Sequence, residues 1–142
     1  MAYIVQADLS ESLSETQLMM LTDDEKVGMV NADRVARVIV SAEAEVNGFL
    51  ATRYLVPFAA PVPDLVQAWT LTVATYYLYR RRRVPEDIRT AYEDTIARLR
   101  DVAAGRLMLG VDPAPTEAGN VNAGEVFGPE PRVFTRDTLW GF

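Results

Sequence analysis

Five oxygen-bearing side chains gather at Asp23, Asp24, Glu25, Asn31 and Asp33, and Gly28 falls at the sixth position counted from Asp23, where a calcium loop takes its glycine. The count fails at the fifth and twelfth positions, Val27 and Arg34, which an EF-hand fills with oxygen ligands. The stretch therefore reads as a solvated turn with helix-capping acids, and no metal is assigned to it. Glu43 with Glu45, and Glu93 with Asp94, resemble acid–base pairs on paper. Residues one or two apart do not share a helical face, so these too read as solvated helix surface, without catalytic geometry. Arg80, Arg81, Arg82 and Arg83 form the most unusual local feature. They suit the negative end of a helix dipole, and their planar forks equally suit an anion or the acidic residues of a neighbouring subunit. Tyr76, Tyr77 and Tyr79 read as packing, because clustering aromatics around a helix hides their large apolar area.

The chain has no cysteine and no histidine. That removes thiolate nucleophiles, disulfides, Cys/His zinc sites and imidazole acid–base catalysis together. It also lacks the G-x-x-x-x-G-K-[ST] phosphate loop, the G-x-G-x-x-G turn and the G-x-S-x-G elbow. The expectation is a protein that is not an enzyme and holds no cofactor.

These side chains need helices to position them. Asp8 can cap a short turn through Leu13, and Ser14 a second through Leu21, after a β-type start at Tyr3-Ile4-Val5. From Asp33 to Arg53, Val35, Val38, Ile39, Ala42, Val46, Phe49 and Leu50 recur at spacings of three and four, which predicts a long amphipathic helix. Pro57, Pro61 and Pro63 then impose an extended loop from Tyr54 to Pro63. Pro63-Asp64 opens a helix to Tyr79 that is apolar around nearly its whole circumference, so it must be central or shared with another subunit. Val84-Pro85-Glu86-Asp87 starts another, through Ile88, Tyr92, Ile96, Leu99, Val102 and Ala103, which Gly105 stops. Residues 111–124 hold Pro113, Pro115, Gly119 and Gly124 without any period and read as an extended arm. Bulky apolar residues return at Val126-Phe127, Val133-Phe134, Leu139-Trp140 and Phe142, and aromatics near a chain end want a partner surface.

The 142 residues suit one core, and with 49% hydrophobic and 24% charged residues the chain should fold. A net charge of −6 argues against general nucleic-acid binding, which rests on many Lys and Arg contacts to phosphates. The longest apolar run, Leu65 to Tyr79, is shorter than the roughly 20 residues a bilayer span needs, so no membrane is expected. The N-terminus lacks the basic start and apolar run of a secretory signal, so synthesis and assembly are expected in the cytoplasm.

Several segments are familiar together: M-A-Y-I-V-Q-A-D-L at Met1 to Leu9, Q-L-M-M-L-T-D at Gln17 to Asp23, A-E-A-E-V-N-G-F-L-A-T-R-Y-L-V-P-F at Ala42 to Phe58, Y-E-D-T-I-A-R-L-R-D-V-A-A-G-R at Tyr92 to Arg106, and P-R-V-F-T-R-D-T-L-W-G-F at Pro131 to Phe142. Across nearly the whole chain they resemble the Mu-like phage and prophage family of small proteins placed among head–tail connectors, with the ending as the most specific element. The resemblance implies a mostly helical adaptor, about twelve copies of which form a closed ring beneath the portal protein. Such a ring would sit in the virion neck, extend the DNA channel without reading sequence, and meet a tail-terminator or other neck protein below. By the same analogy the C-terminal arm reaches the portal or an adjacent subunit, with Arg132, Phe134, Arg136, Trp140 and Phe142 as its docking residues.

The sequence thus points to a mainly α protein: a small bundle of about three main helices with short N-terminal helices, a long loop, a helical unit over residues 1–110 and an extended arm over residues 111–142. Beside a carboxylate-based hydrolase, against which the missing catalytic motifs speak, two rival functions stand next to the connector. One is a tail-completion or terminator subunit of the same particle, and the other a DNA-binding regulator acting through Arg80 to Arg83, for which steeply salt-dependent DNA binding would speak.

Overall fold

Residues 2–114 are described by a computed structural model, and they form five α-helices and no β-strand. The first, α1 (Gln6–Ser12), begins where the Asp8 carboxylate accepts the Val5 N–H at 2.7 Å. A side chain reaching back in this way satisfies a backbone donor that the first turn leaves free. Ser14 opens α2 (Glu15–Thr22) by accepting the Gln17 N–H at 3.4 Å. Thr22 closes it: fully buried, its hydroxyl donates to the Leu18 carbonyl at 2.8 Å and accepts the Asn31 N–H at 3.2 Å. Asn31 in turn caps α3 (Ala32–Leu50) by accepting the Arg34 N–H at 3.0 Å.

Along α3 the buried residues are Val35, Ile39, Ala42, Val46 and Leu50, a stripe of threes and fours. Val38 and Phe49, expected on the same stripe, are half-buried at its edges. The helix stops at Leu50 rather than Arg53, because the next turn tightens: the Arg53 N–H bonds the Leu50 carbonyl three residues back, at 3.0 Å. Next come α4 (Asp64–Tyr79), which starts after Pro63, and α5 (Glu86–Ala103), which starts after Pro85. Proline suits the beginning of each helix, since its missing N–H lies where no helical partner exists. Gly105 ends α5 at φ 76°, a left-handed conformation glycine adopts without strain, and its N–H bonds the Val102 carbonyl at 2.9 Å.

The three long helices pack pairwise on one another, with α4 running antiparallel to the other two, as its end at Tyr77 to Arg81 lies beside the start of α3 and Tyr76 lies on Tyr92 of α5. Val66, Trp69, Thr70, Val73, Ala74 and Leu78 of α4 are buried. Its centrality is as expected, and α1 and α2 also pack on it. Leu65 is the large apolar residue of α4 left exposed.

Tyr3-Ile4-Val5 is not a strand. Tyr3 and Ile4 are buried in an irregular segment, and Tyr3 fastens it. The Tyr3 N–H donates to Glu43 at 2.5 Å, its hydroxyl donates to Asn47 at 2.6 Å, and the same oxygen accepts the Phe58 N–H at 2.9 Å. The extended loop from residue 54 to 63 is held in this way from beneath, with the Phe58 ring 6.2 Å from Tyr3 and 6.0 Å from Tyr54. Tyr54 also accepts the Leu109 N–H at 3.1 Å, and the Ala114 N–H reaches the Arg53 carbonyl at 2.8 Å, so the chain leaving α5 stays against the end of α3. Among the described residues no helix is long and apolar enough to cross a membrane.

Candidate functional site

In the acidic stretch before α3, a turn, the carboxylates of Asp23 and Asp24 are already engaged. Asp23 accepts the N–H groups of Val27 at 3.0 Å and Gly28 at 2.7 Å, with Gly28 at φ 80°. Those two hydrogen bonds, Gly28 first, hold its carboxyl below the usual carboxylate range. Asp24 faces the other way, toward the arginines. It lies 2.8 Å from Arg81, 2.5 Å from Arg34 and 3.8 Å from Arg82. Hydrogen bonds from Arg81 and then Arg34 hold its carboxyl low as well.

Two of the four arginines predicted as a cluster, Arg80 and Arg81, join a groove between the start of α3 and the end of α4 that Arg34, Arg37, Ser41 and Tyr77 complete. Arg80 sits over the Tyr77 ring at 5.0 Å, a cation–π contact. Among the described residues Arg37 and Arg80 form no ion pair and both are exposed, Arg37 donating its Nε–H to the Asp33 carbonyl at 3.2 Å. Arg82 points to Asp24 instead, and Arg83 is exposed beyond the groove. This local concentration of positive charge sits on a chain whose net charge is −6.

Glu43 and Glu45, two positions apart, serve different partners. Glu43 takes the Tyr3 N–H. Glu45 accepts the hydroxyls of Tyr77 at 2.6 Å and Tyr92 at 2.9 Å, so one carboxylate of α3 ties α4 and α5 together. Tyr92 also stacks on Tyr76, ring centroids 4.0 Å apart and planes 10° from parallel. Burial first, and then the hydrogen bond to Glu45, raises both phenols: Tyr92 is pushed up to about 12 and Tyr77 further. Phenols raised in this way stay protonated and donate, so the trio is a fastening rather than an acid–base centre. Glu93 and Asp94 are exposed on α5.

A second groove runs between α1 and the first half of α4, lined by Ile4, Asp8, Glu11, Asp64, Gln67 and Leu71. Its three carboxylates form no ion pair among the described residues. Sequence reading missed this groove and both tyrosine fastenings. Their members lie far apart in the chain, and each residue alone resembles ordinary helix surface or core. Large exposed apolar residues sit at both ends of α3: Met20 and Met29 are 60% and 69% exposed near its start, and Leu55 and Met108 are each 73% exposed near its end. The predicted docking residues Arg132, Phe134, Arg136, Trp140 and Phe142 lie outside the described residues.

Residues 3–127 match the family model described as Bacteriophage Mu, Gp36. The terminal run Pro131 to Phe142, which weighed most in the sequence resemblance, falls beyond that match. The chain is 31% identical over 113 residues to Gene product J of Escherichia phage Mu, covering 79% of each chain. It is also 30% identical over 111 residues to the Mu-like prophage FluMu protein gp36 of Haemophilus influenzae, covering 77% of this chain and 75% of that one.

Proposed function

Because this chain belongs to the Bacteriophage Mu, Gp36 family, we propose that it is a structural, non-enzymatic subunit of a Mu-like phage or prophage particle, a head–tail connector. In this reading it forms a ring beneath the portal, in the virion neck, and continues the DNA channel toward the tail. The family match over residues 3–127 carries the proposal. The chemistry-bearing side chains support it by their employment. Asp23, Glu43 and Glu45 hold turns and helices in place, while the charged side chains left outward line open grooves suited to contact with other subunits. The chain's net charge of −6 suits a channel that DNA must pass without sticking, since like charges repel. The C-terminal arm is assigned to docking on the portal or an adjacent subunit, with Arg132, Phe134, Arg136, Trp140 and Phe142 as its contacts.

Electron microscopy of particles made with and without the gene tests this. Loss of the gene should give filled heads and separate tails, and so should a gene shortened to remove Arg132 to Phe142. Normal particles from the shortened gene would remove the docking role of the arm. Normal particles without the gene would remove the connector itself.

A further inference from the structure

The two charged grooves are complementary, and they lie at opposite ends of one helix. The basic groove takes Tyr77, Arg80 and Arg81 from the end of α4, and adds Arg34 and Arg37 from α3. The acidic groove takes Asp64 and Gln67 from the start of α4, and adds Asp8 and Glu11 from α1. Asp64 and Arg80 are sixteen residues apart, about 24 Å along the axis at 1.5 Å per residue. At 3.6 residues per turn the two sets of α4 residues also face different directions, so filling one groove leaves the other open.

We propose that the acidic groove of one copy of this chain, at Asp8, Glu11 and Asp64, docks against the basic groove of the next copy, at Arg34, Arg37, Arg80 and Arg81. Charge selects the occupant. A basic patch on a chain of net charge −6 is a poor lure for nucleic acid, because the rest of the surface repels phosphates. An acidic patch on the same chain, by contrast, meets the arginines at equal concentration in every copy. Each groove also has apolar floor to desolvate, Ile4 and Leu71 on the acidic side and Val38 with the Tyr77 ring on the basic side. Asp24 ties down Arg34 and Arg81 but leaves Arg37 and Arg80 to reach outward. A contact between two different patches is heterologous, and repeats from copy to copy until the ring closes or a filament grows. The proposal deepens the connector reading by naming the subunit contact, and rests on that reading only for its use in a particle.

Sedimentation velocity of the full chain in about 20 mM and about 0.5 M sodium chloride tests the contact, since exposed charges interact over a Debye length of roughly 20 Å in the first and under 5 Å in the second. The wild type should sediment as a larger species in low salt and as a monomer in high salt. Two double variants, Arg37→Glu with Arg80→Glu and Glu11→Lys with Asp64→Lys, should each stay monomeric in low salt with unchanged far-ultraviolet circular dichroism. Mixed in equal amounts, they should associate again, because the intact acidic groove of the first meets the intact basic groove of the second. A wild type that is monomeric in low salt would overturn the proposal, as would association that survives either double variant or a mixture that remains monomeric. Duplex DNA titrated into the same samples reads the rival: if Arg37→Glu with Arg80→Glu abolishes DNA binding and leaves self-association intact, the basic groove serves nucleic acid. None of these outcomes depends on the particle, so the connector role can fail by microscopy while the contact stands.

Discussion

At the scale of single residues, Glu45 is the side chain on which three helices converge. Replacing it with alanine leaves two half-buried phenols without their acceptor and should lower unfolding free energy by about 1–3 kcal/mol, read from urea unfolding. The same phenols set an alkaline limit. A tyrosine whose pKa is raised by folding binds its proton more tightly in the native state, so its contribution is complete below the unfolded value near 10 and is lost as pH rises through the folded value. Urea midpoints should therefore fall between about pH 10 and 12, and the fall should be shallower when Tyr77 and Tyr92 are both phenylalanine. Asp24 behaves in the opposite sense. Its carboxyl is held low by Arg81 and Arg34, so its contribution is present above the ordinary carboxylate range and disappears in acid. Asp24→Asn should be less stable than wild type at neutral pH and indistinguishable from it in strong acid. None of these partnerships was legible in the sequence. Glu45 lies 32 and 47 positions from its tyrosines, and Arg81 lies 57 from Asp24; no local spacing rule spans such separations.

Helices, by contrast, were largely legible, because their signals are local. The spacing of Val35, Ile39, Ala42, Val46 and Leu50 determines the buried face of α3 wherever the chain places it. Pro63, Pro85 and Gly105 mark helix ends by backbone chemistry that does not depend on tertiary context. The reading failed where tertiary packing decides. Tyr3-Ile4-Val5 looks like a strand by side-chain type, but with no strand among the described residues to pair with, Tyr3 bonds to α3 and to the loop at Phe58. Two substitutions probe this level. Leu99→Ala empties a fully buried position of α5 and should cost about 2–5 kcal/mol in urea unfolding. Gly105→Ala forces a left-handed conformation on a residue with a Cβ, directly against the Arg53 guanidinium, and should cost at least about 1 kcal/mol.

For the molecule as a whole, the apolar periodicity predicted the bundle, while the placing of charge at its two ends needed the fold. Arg80 and Arg81 were visible as a run, but α3 supplies the other half of their groove, and the acidic groove joins α1 to a helix that begins more than fifty residues later. The exposed methionines give this surface a built-in chemical reporter. Met20 and Met29 stand near one end of α3 and Met108 near the other, all open to solvent, so mild peroxide should convert them to sulfoxides while leaving the hidden packing intact. Mass spectrometry of the resulting peptides, from free protein and from assembled particles, would then tell which end is shielded by a neighbour, with no label introduced and no residue changed.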